Sequence, residues 1–198
     1  MQKILFINNG FPKNNNKLTY IESIYKCLKK ADKTIDLLSF YSDHKNLTSK
    51  IIKYTILYFK ILFKDINKYD FIYINHWPYL IFPLIFKGIN TKLIINWHGN
   101  DINPENKFKE QLNNFSYRLI PKNENNKVIF IVPSVYYKNN VIRIFDKKYD
   151  IFISPSGGVN TERFYYKYNV SNNGKIVFGF ASGLTKSKGA FLILEALS

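Results

Sequence analysis

Lys3-Ile4-Leu5-Phe6-Ile7-Asn8 is the run whose reading decides the fold. It is short, compact and apolar, and it stops at turn-forming asparagines, so it reads as a buried strand. Downstream, Leu18, Ile21, Ile24, Tyr25 and Leu28 recur at helical spacing between Leu18 and Lys29, and Thr34–Tyr41 is again strand-like. The alternation continues outward. Ser49 to Phe63 reads as a long helix, Phe71–Asn75 as a strand, Tyr79–Phe86 as a short helix and Lys92–Trp97 as a strand. A polar turn at His98–Asn103 precedes a helix from Asn106 to Leu119. A strand at Val128–Val132, a helix from Ser134 to Phe145 and a strand at Asp150–Ser154 complete the pattern.

Strands that alternate with helices through short loops predict a parallel sheet with helices on both faces. The expected fold class is therefore α/β, a Rossmann-like doubly wound sheet. Ligands of such sheets bind at the carboxyl ends of the strands, where strand order reverses. The loops after Asn8, Asn75, Trp97, Val132 and Ser154 form the expected functional edge. Beyond Phe164 the pattern changes: Tyr165 to Gly174 is polar and aromatic without periodicity and reads as a connector. Lys175–Ala181 is then a strand, Ser182–Gly189 a turn, and Ala190–Leu197 the start of a helix. This unit either extends the first sheet or opens a second domain. On the second reading residues 1–164 form the first domain, 165–174 the connector and 175–198 the start of the next.

At 198 residues, with 46% hydrophobic and 17% aromatic residues, the chain suits one full domain, or one and a fraction, and is too apolar for a disordered segment. The single cysteine, Cys27, excludes a disulfide framework and a Cys-rich zinc site, and fits a reducing cytoplasm. A net charge of +15 points to an anionic partner: nucleic acid, an acidic membrane or a phosphorylated substrate. Base reading prefers arginine forks, and the only arginines are Arg118, Arg143 and Arg163, so no nucleic-acid partner is expected. A merely solvated lysine surface is the alternative. The apolar run at the amino terminus is too short for a signal peptide. Ile51 to Phe63 is interrupted by Lys53 and Lys60 and falls short of the roughly 20 apolar residues a spanning helix needs. The expected location is the cytoplasm, peripheral on the inner face of the cell membrane at most. His44, His76 and His98 are far apart, and no dinucleotide, Walker, Gly-x-Ser-x-Gly, His-Glu-x-x-His or Asp-x-Asp motif occurs, so no metal is expected.

Three segments carry a resemblance. They are His98-Gly99-Asn100-Asp101; Pro155-Ser156-Gly157-Gly158-Val159-Asn160-Thr161-Glu162-Arg163-Phe164; and Lys175-Ile176-Val177-Phe178-Gly179-Phe180-Ala181-Ser182-Gly183-Leu184, running into Lys186-Ser187-Lys188-Gly189. Their order and spacing resemble the family 4 glycosyltransferases of GT-B fold, a large group of bacterial retaining sugar transferases. The resemblance spans the chain and corresponds to about the first half of such an enzyme. It implies hexosyl transfer from a nucleotide-diphosphate sugar to a glycan or lipid-linked acceptor in cell-surface polysaccharide synthesis, with no metal.

By that resemblance His98 lies near the donor sugar and orients it; its other reading is a loop histidine that caps the next helix. Asp101 is expected to stabilise the amino end of a helix. The Gly157-Gly158 turn precedes the hinge. Lys188, with Lys186 and Gly189, neutralises the leaving diphosphate, whose charge grows in the transition state; its other reading is a lysine in a polar turn. The sequence departs from the family where Gly183 stands in place of the arginine that partners this lysine, and where Asn15 and Asn16 replace the glycine pair of the first loop. The carboxyl-terminal domain with its paired glutamates is not in these residues, so the fragment alone is expected to be inactive. A different reading is a membrane-docked, non-catalytic subunit that needs a partner chain to supply that domain.

From Ser49 to Lys64, Ile52, Ile56, Phe59 and Phe63 share one helix face, with Lys50, Lys53, Lys60 and Lys64 on others. That stripe either packs on the sheet with its lysines in solvent, or lies at an anionic membrane interface, where each lysine contributes about 1 kcal/mol. The aromatic stretch Trp77–Phe86, broken by Pro78 and Pro83, would belong to the same acceptor side.

Overall fold

The computed structural model describes residues 2–9, 20–31, 34–40, 47–75, 77–97, 99–102, 104, 106–121, 127–145, 149–155 and 189–197. The chain divides into two compact units, Met1–Gly158 and Val159–Ser198. The first contains β1 (Lys3–Asn8), α1 (Tyr20–Lys30), β2 (Thr34–Ser39), α2 (Leu47–Phe63), β3 (Phe71–Asn75), α3 (Trp77–Ile85), β4 (Lys92–Asn96), α4 (Gly99–Ile102), α5 (Lys107–Arg118), β5 (Val128–Val132), α6 (Val135–Ile144) and β6 (Asp150–Ile153). In the second unit the described element is α7 (Ala190–Leu197).

The six strands form one all-parallel sheet in the order β2-β1-β3-β4-β5-β6. The fold is thus Rossmann-like α/β, with its topological switch between β1 and β3. Strict alternation divides the side chains of the inner strands between two packed layers. Leu5, Ile7, Ile72, Ile74, Leu93, Ile95, Phe130 and Val132 join the main core, with Leu57 and Ile61 of α2, Leu80, Ile81 and Leu84 of α3 and Val141 of α6. Ile4, Phe6 and Tyr73 point the other way, against Ile21, Ile24, Tyr25 and Leu28 of α1. Both layers are apolar, which is why the inner strands read as near-continuous Ile/Leu/Phe runs.

Local chemistry sets the helix ends. Glu22 in the first turn of α1 and Lys29 and Lys30 in its last turn complement the helix dipole, and Glu22 pairs with Lys26 at 2.9 Å. Asn106 caps α5, its Oδ1 accepting from the Lys109 amide at 2.9 Å. Asp101 lies within the short helix α4. The expected polar turn after β4 is itself corrected: residues 99–102 close a helical turn, held because Ile102 packs on the main core.

Pro83 stands inside α3. It has no N–H to offer the carbonyl of Tyr79 four residues earlier. The Tyr58 hydroxyl of α2 donates to that carbonyl instead, tying the two helices together. Lys87 ties them again at the far end, its amine donating to the Leu62 carbonyl at 2.6 Å and to that of Lys64.

The long helix α2 has two apolar sides. Leu57 and Ile61 are buried on the sheet, whereas Ile52, Ile56, Phe59 and Phe63 face outward. The stripe singled out in the sequence therefore does not pack on the sheet.

Candidate functional site

Three of the inner strands end in the same dipeptide: Ile7-Asn8, Ile74-Asn75 and Ile95-Asn96. Ile7 pairs with Ile74 and Asn75 pairs with Asn96, so the three asparagines stand level on adjacent strands, with Ser39 of β2 opposite Asn8. All three are buried. By alternation they occupy the α1 side of the sheet, one step above Phe6, Tyr73 and Ile94. This amide row crosses the switch point at the carboxyl edge, where doubly wound sheets bind ligands.

Within the row Asn96 Nδ2 donates to Asn75 Oδ1 at 2.8 Å, and Asn8 Oδ1 accepts from the Asn9 amide at 2.8 Å. Asn8 Nδ2 is buried and has no hydrogen-bond partner among the described residues. The same holds for Trp97 Nε1, one residue past β4, whose ring is enclosed by Tyr117, Phe130 and Phe145 at centroid distances of 5.4, 5.3 and 5.7 Å. A buried donor left without a partner costs about 1–3 kcal/mol, so its retention calls for a reason.

On the opposite side of the edge stands a cluster of phenols. Asn9 Nδ2 donates to the Tyr54 hydroxyl at 2.7 Å. The Tyr54 ring meets Phe40 edge-on at 4.9 Å and lies 5.8 Å from that of Tyr79. Burial raises the pKa of Tyr54 and pushes that of Tyr58 up to about 12, with the neighbouring tyrosines adding to the effect. Both phenols stay protonated at neutral pH. Gly99, at the start of α4, lies so close to α6 that a Cβ there would sit 3.1 Å from the Tyr137 hydroxyl.

Among the described residues, the edge thus holds neutral amides and phenols, each able to donate and accept. Such groups suit a hydroxyl-rich, uncharged ligand. Among the described residues no group of three His, Cys, Asp or Glu is placed to hold a metal ion, and no helix is long and apolar enough to cross a membrane. An open depression of about 550 Å³ lies at the other end of the strands, lined by Gln2, Asn67, Tyr69, Asp70 and Lys92 among others. The crossovers of a doubly wound sheet put ligand chemistry at the carboxyl ends, so the amide row and not this depression is the candidate site.

Of the residues expected from the sequence to act, His98, Asn15, Asn16, Gly157, Gly158, Lys186 and Lys188 lie outside the described residues. Gly189 is described. It holds a φ of 74°, a conformation that favours glycine, and its carbonyl accepts from the Ile193 amide at 3.3 Å as α7 begins. Sequence reading missed the amide row. The repeated Ile-Asn strand ending was the available signal, but it gains meaning only once strand order and register are known. No protein-family model matches the chain, and no curated protein matches it.

Proposed function

We propose that this chain is the acceptor-side part of a retaining, metal-independent glycosyltransferase of GT-B type, moving a hexosyl group from a nucleotide-diphosphate sugar to a glycan or lipid-linked acceptor. The observation that carries the reading is the buried amide row at the switch point, with the Asn8 donor at its end unpartnered among the described residues. Neutral amides and phenols at one edge of a sheet are the chemistry that recognises sugar hydroxyls. The order of the His98, Gly157-Gly158 and Lys188 segments supports the same reading. In it, His98 orients the donor sugar, and Lys188, with Lys186 and the Gly189 backbone, offsets the negative charge that builds on the departing diphosphate. A second lobe, from further polypeptide or a partner chain, closes over the edge and excludes water.

Saturation-transfer NMR on the 198-residue chain, with a panel of uridine- and guanosine-diphosphate sugars and neutral oligosaccharides, tests this reading. Saturation of sugar-ring protons is expected, weakened by Asn8→Ala and by His98→Ala with the thermal melt preserved. Saturation by no member of the panel, or saturation indifferent to both substitutions, rejects it.

A further inference from the structure

The outward side of α2 has no role in the carboxyl-edge site. Ile52, Ile56, Phe59 and Phe63 recur at intervals of four, three and four and fall within about 60° of arc on the helix. Their relative exposures are 55%, 49%, 54% and 84%. The rings of Phe59 and Phe63 stack on each other at 6.3 Å. Phe86, next to the Lys87 that binds the Leu62 carbonyl in the last turn of α2, is also 84% exposed. A continuous apolar stripe on the surface of a folded chain marks an interaction site.

Charge selects the occupant. α2 carries Lys50, Lys53 and Lys60 and no acidic residue, and the chain as a whole is at +15. Lys53 and Lys60 flank the stripe on one side, about 80–100° around the helix from Ile52. A second copy meeting this face would oppose lysine to lysine, whereas an anionic lipid surface attracts the lysines and accepts the Phe and Ile side chains between its headgroups. The helix has 17 residues, and no helix among the described residues is long and apolar enough to cross a bilayer. A helix of this kind docked on a bilayer lies along the interface rather than across it.

We propose that the outer face of α2 docks this chain on the surface of an anionic lipid bilayer, with Ile52, Ile56, Phe59 and Phe63 inserted and Lys53 and Lys60 at headgroup level.

The test is flotation of the 198-residue chain with vesicles of phosphatidylcholine plus phosphatidylglycerol, against vesicles of phosphatidylcholine alone, alongside sedimentation equilibrium without lipid. Binding is expected to need the anionic lipid and to weaken with salt. Phe59→Ser with Phe63→Ser is expected to reduce the partition coefficient about tenfold or more. Lys60→Gln is expected to reduce it about fivefold. Both side chains of the double variant are more than half exposed, so its melt should match that of the parent chain. Failure to bind either vesicle overturns the proposal, as does equal binding by the parent chain and the double variant. A dimer in solution that the double variant abolishes also overturns it, since the stripe then serves a second copy.

Discussion

Towards the amino ends of the strands Lys64 bridges Asp36 at 3.0 Å, Tyr69 donates to the same carboxylate, Asp70 accepts from the Lys3 amide at 2.7 Å, and Thr91 donates to the Ile66 carbonyl at 3.3 Å. At the carboxyl ends of the same strands two buried donors, Asn8 Nδ2 and Trp97 Nε1, have no such partner among the described residues. Among the described residues, the sheet thus closes its polar groups at one edge and leaves two buried donors unmatched at the other. Matched groups hold the loops that enter the sheet; an unmatched donor lowers stability unless something outside the fold completes it. The contrast separates scaffold from site without appeal to any motif.

Substitutions at Trp97, Tyr58, Asn8 and Asp36 break or sharpen that contrast. Trp97→Ala should have the largest effect, about 3–5 kcal/mol in urea unfolding, because it empties a fully enclosed aromatic site. Trp97→Phe removes the unmatched indole donor while keeping a ring and leaves a smaller cavity, so it should cost clearly less than Trp97→Ala. Next, Tyr58→Phe strips the Tyr79 carbonyl of its donor and should cost about 1–3 kcal/mol. In a Pro83→Ala background the restored amide serves that carbonyl, so the same substitution should cost under about 1 kcal/mol in a double-mutant cycle. Third, Asn8→Ala removes an orphaned donor together with one bond to the Asn9 amide, and should shift stability by no more than about 1 kcal/mol either way. A large loss there would make the carboxyl edge as structural as the amino edge.

The smallest effect is expected at the amino edge. Asp36→Asn should cost no more than about 1 kcal/mol, since both members of its ion pair face solvent. Its signature is the pH dependence. The hydrogen bond from Tyr69, and then that from Lys64, lowers the Asp36 pKa, so this stabilisation is present above the ordinary carboxylate pKa and lost as pH falls through the depressed value. The hydrogen bond to Asp36 raises the Lys64 pKa, so its share is present below the ordinary lysine pKa and lost as pH rises through the elevated one. Melts of parent and variant should therefore differ most near neutrality and converge in strong acid and strong base.

The sheet was legible because its strands are short apolar runs bounded by polar turns; β3 and β5 match their expected limits residue for residue. Other features needed tertiary context. The turn at residues 99–102 lacks good helix formers and exists because Ile102 finds the core. In α2 apolar residues lie on two sides, and periodicity cannot say which side meets the sheet. The structure assigns Leu57 and Ile61 inward and leaves the Phe59 side outward. The amide row joins residues 8, 75 and 96, whose alignment follows from a strand order that no local window contains.

The row has a consequence for assembly of the sheet. KILFIN, FIYIN and KLIIN are nearly interchangeable greasy segments, and their apolar positions alone would tolerate sliding past one another. Displacing one of them by a single residue would swing its terminal amide to the reverse side of the sheet, and for β3 or β4 would sever the Asn96–Asn75 link. The asparagines thus act as end stops, giving three look-alike strands a common finishing line.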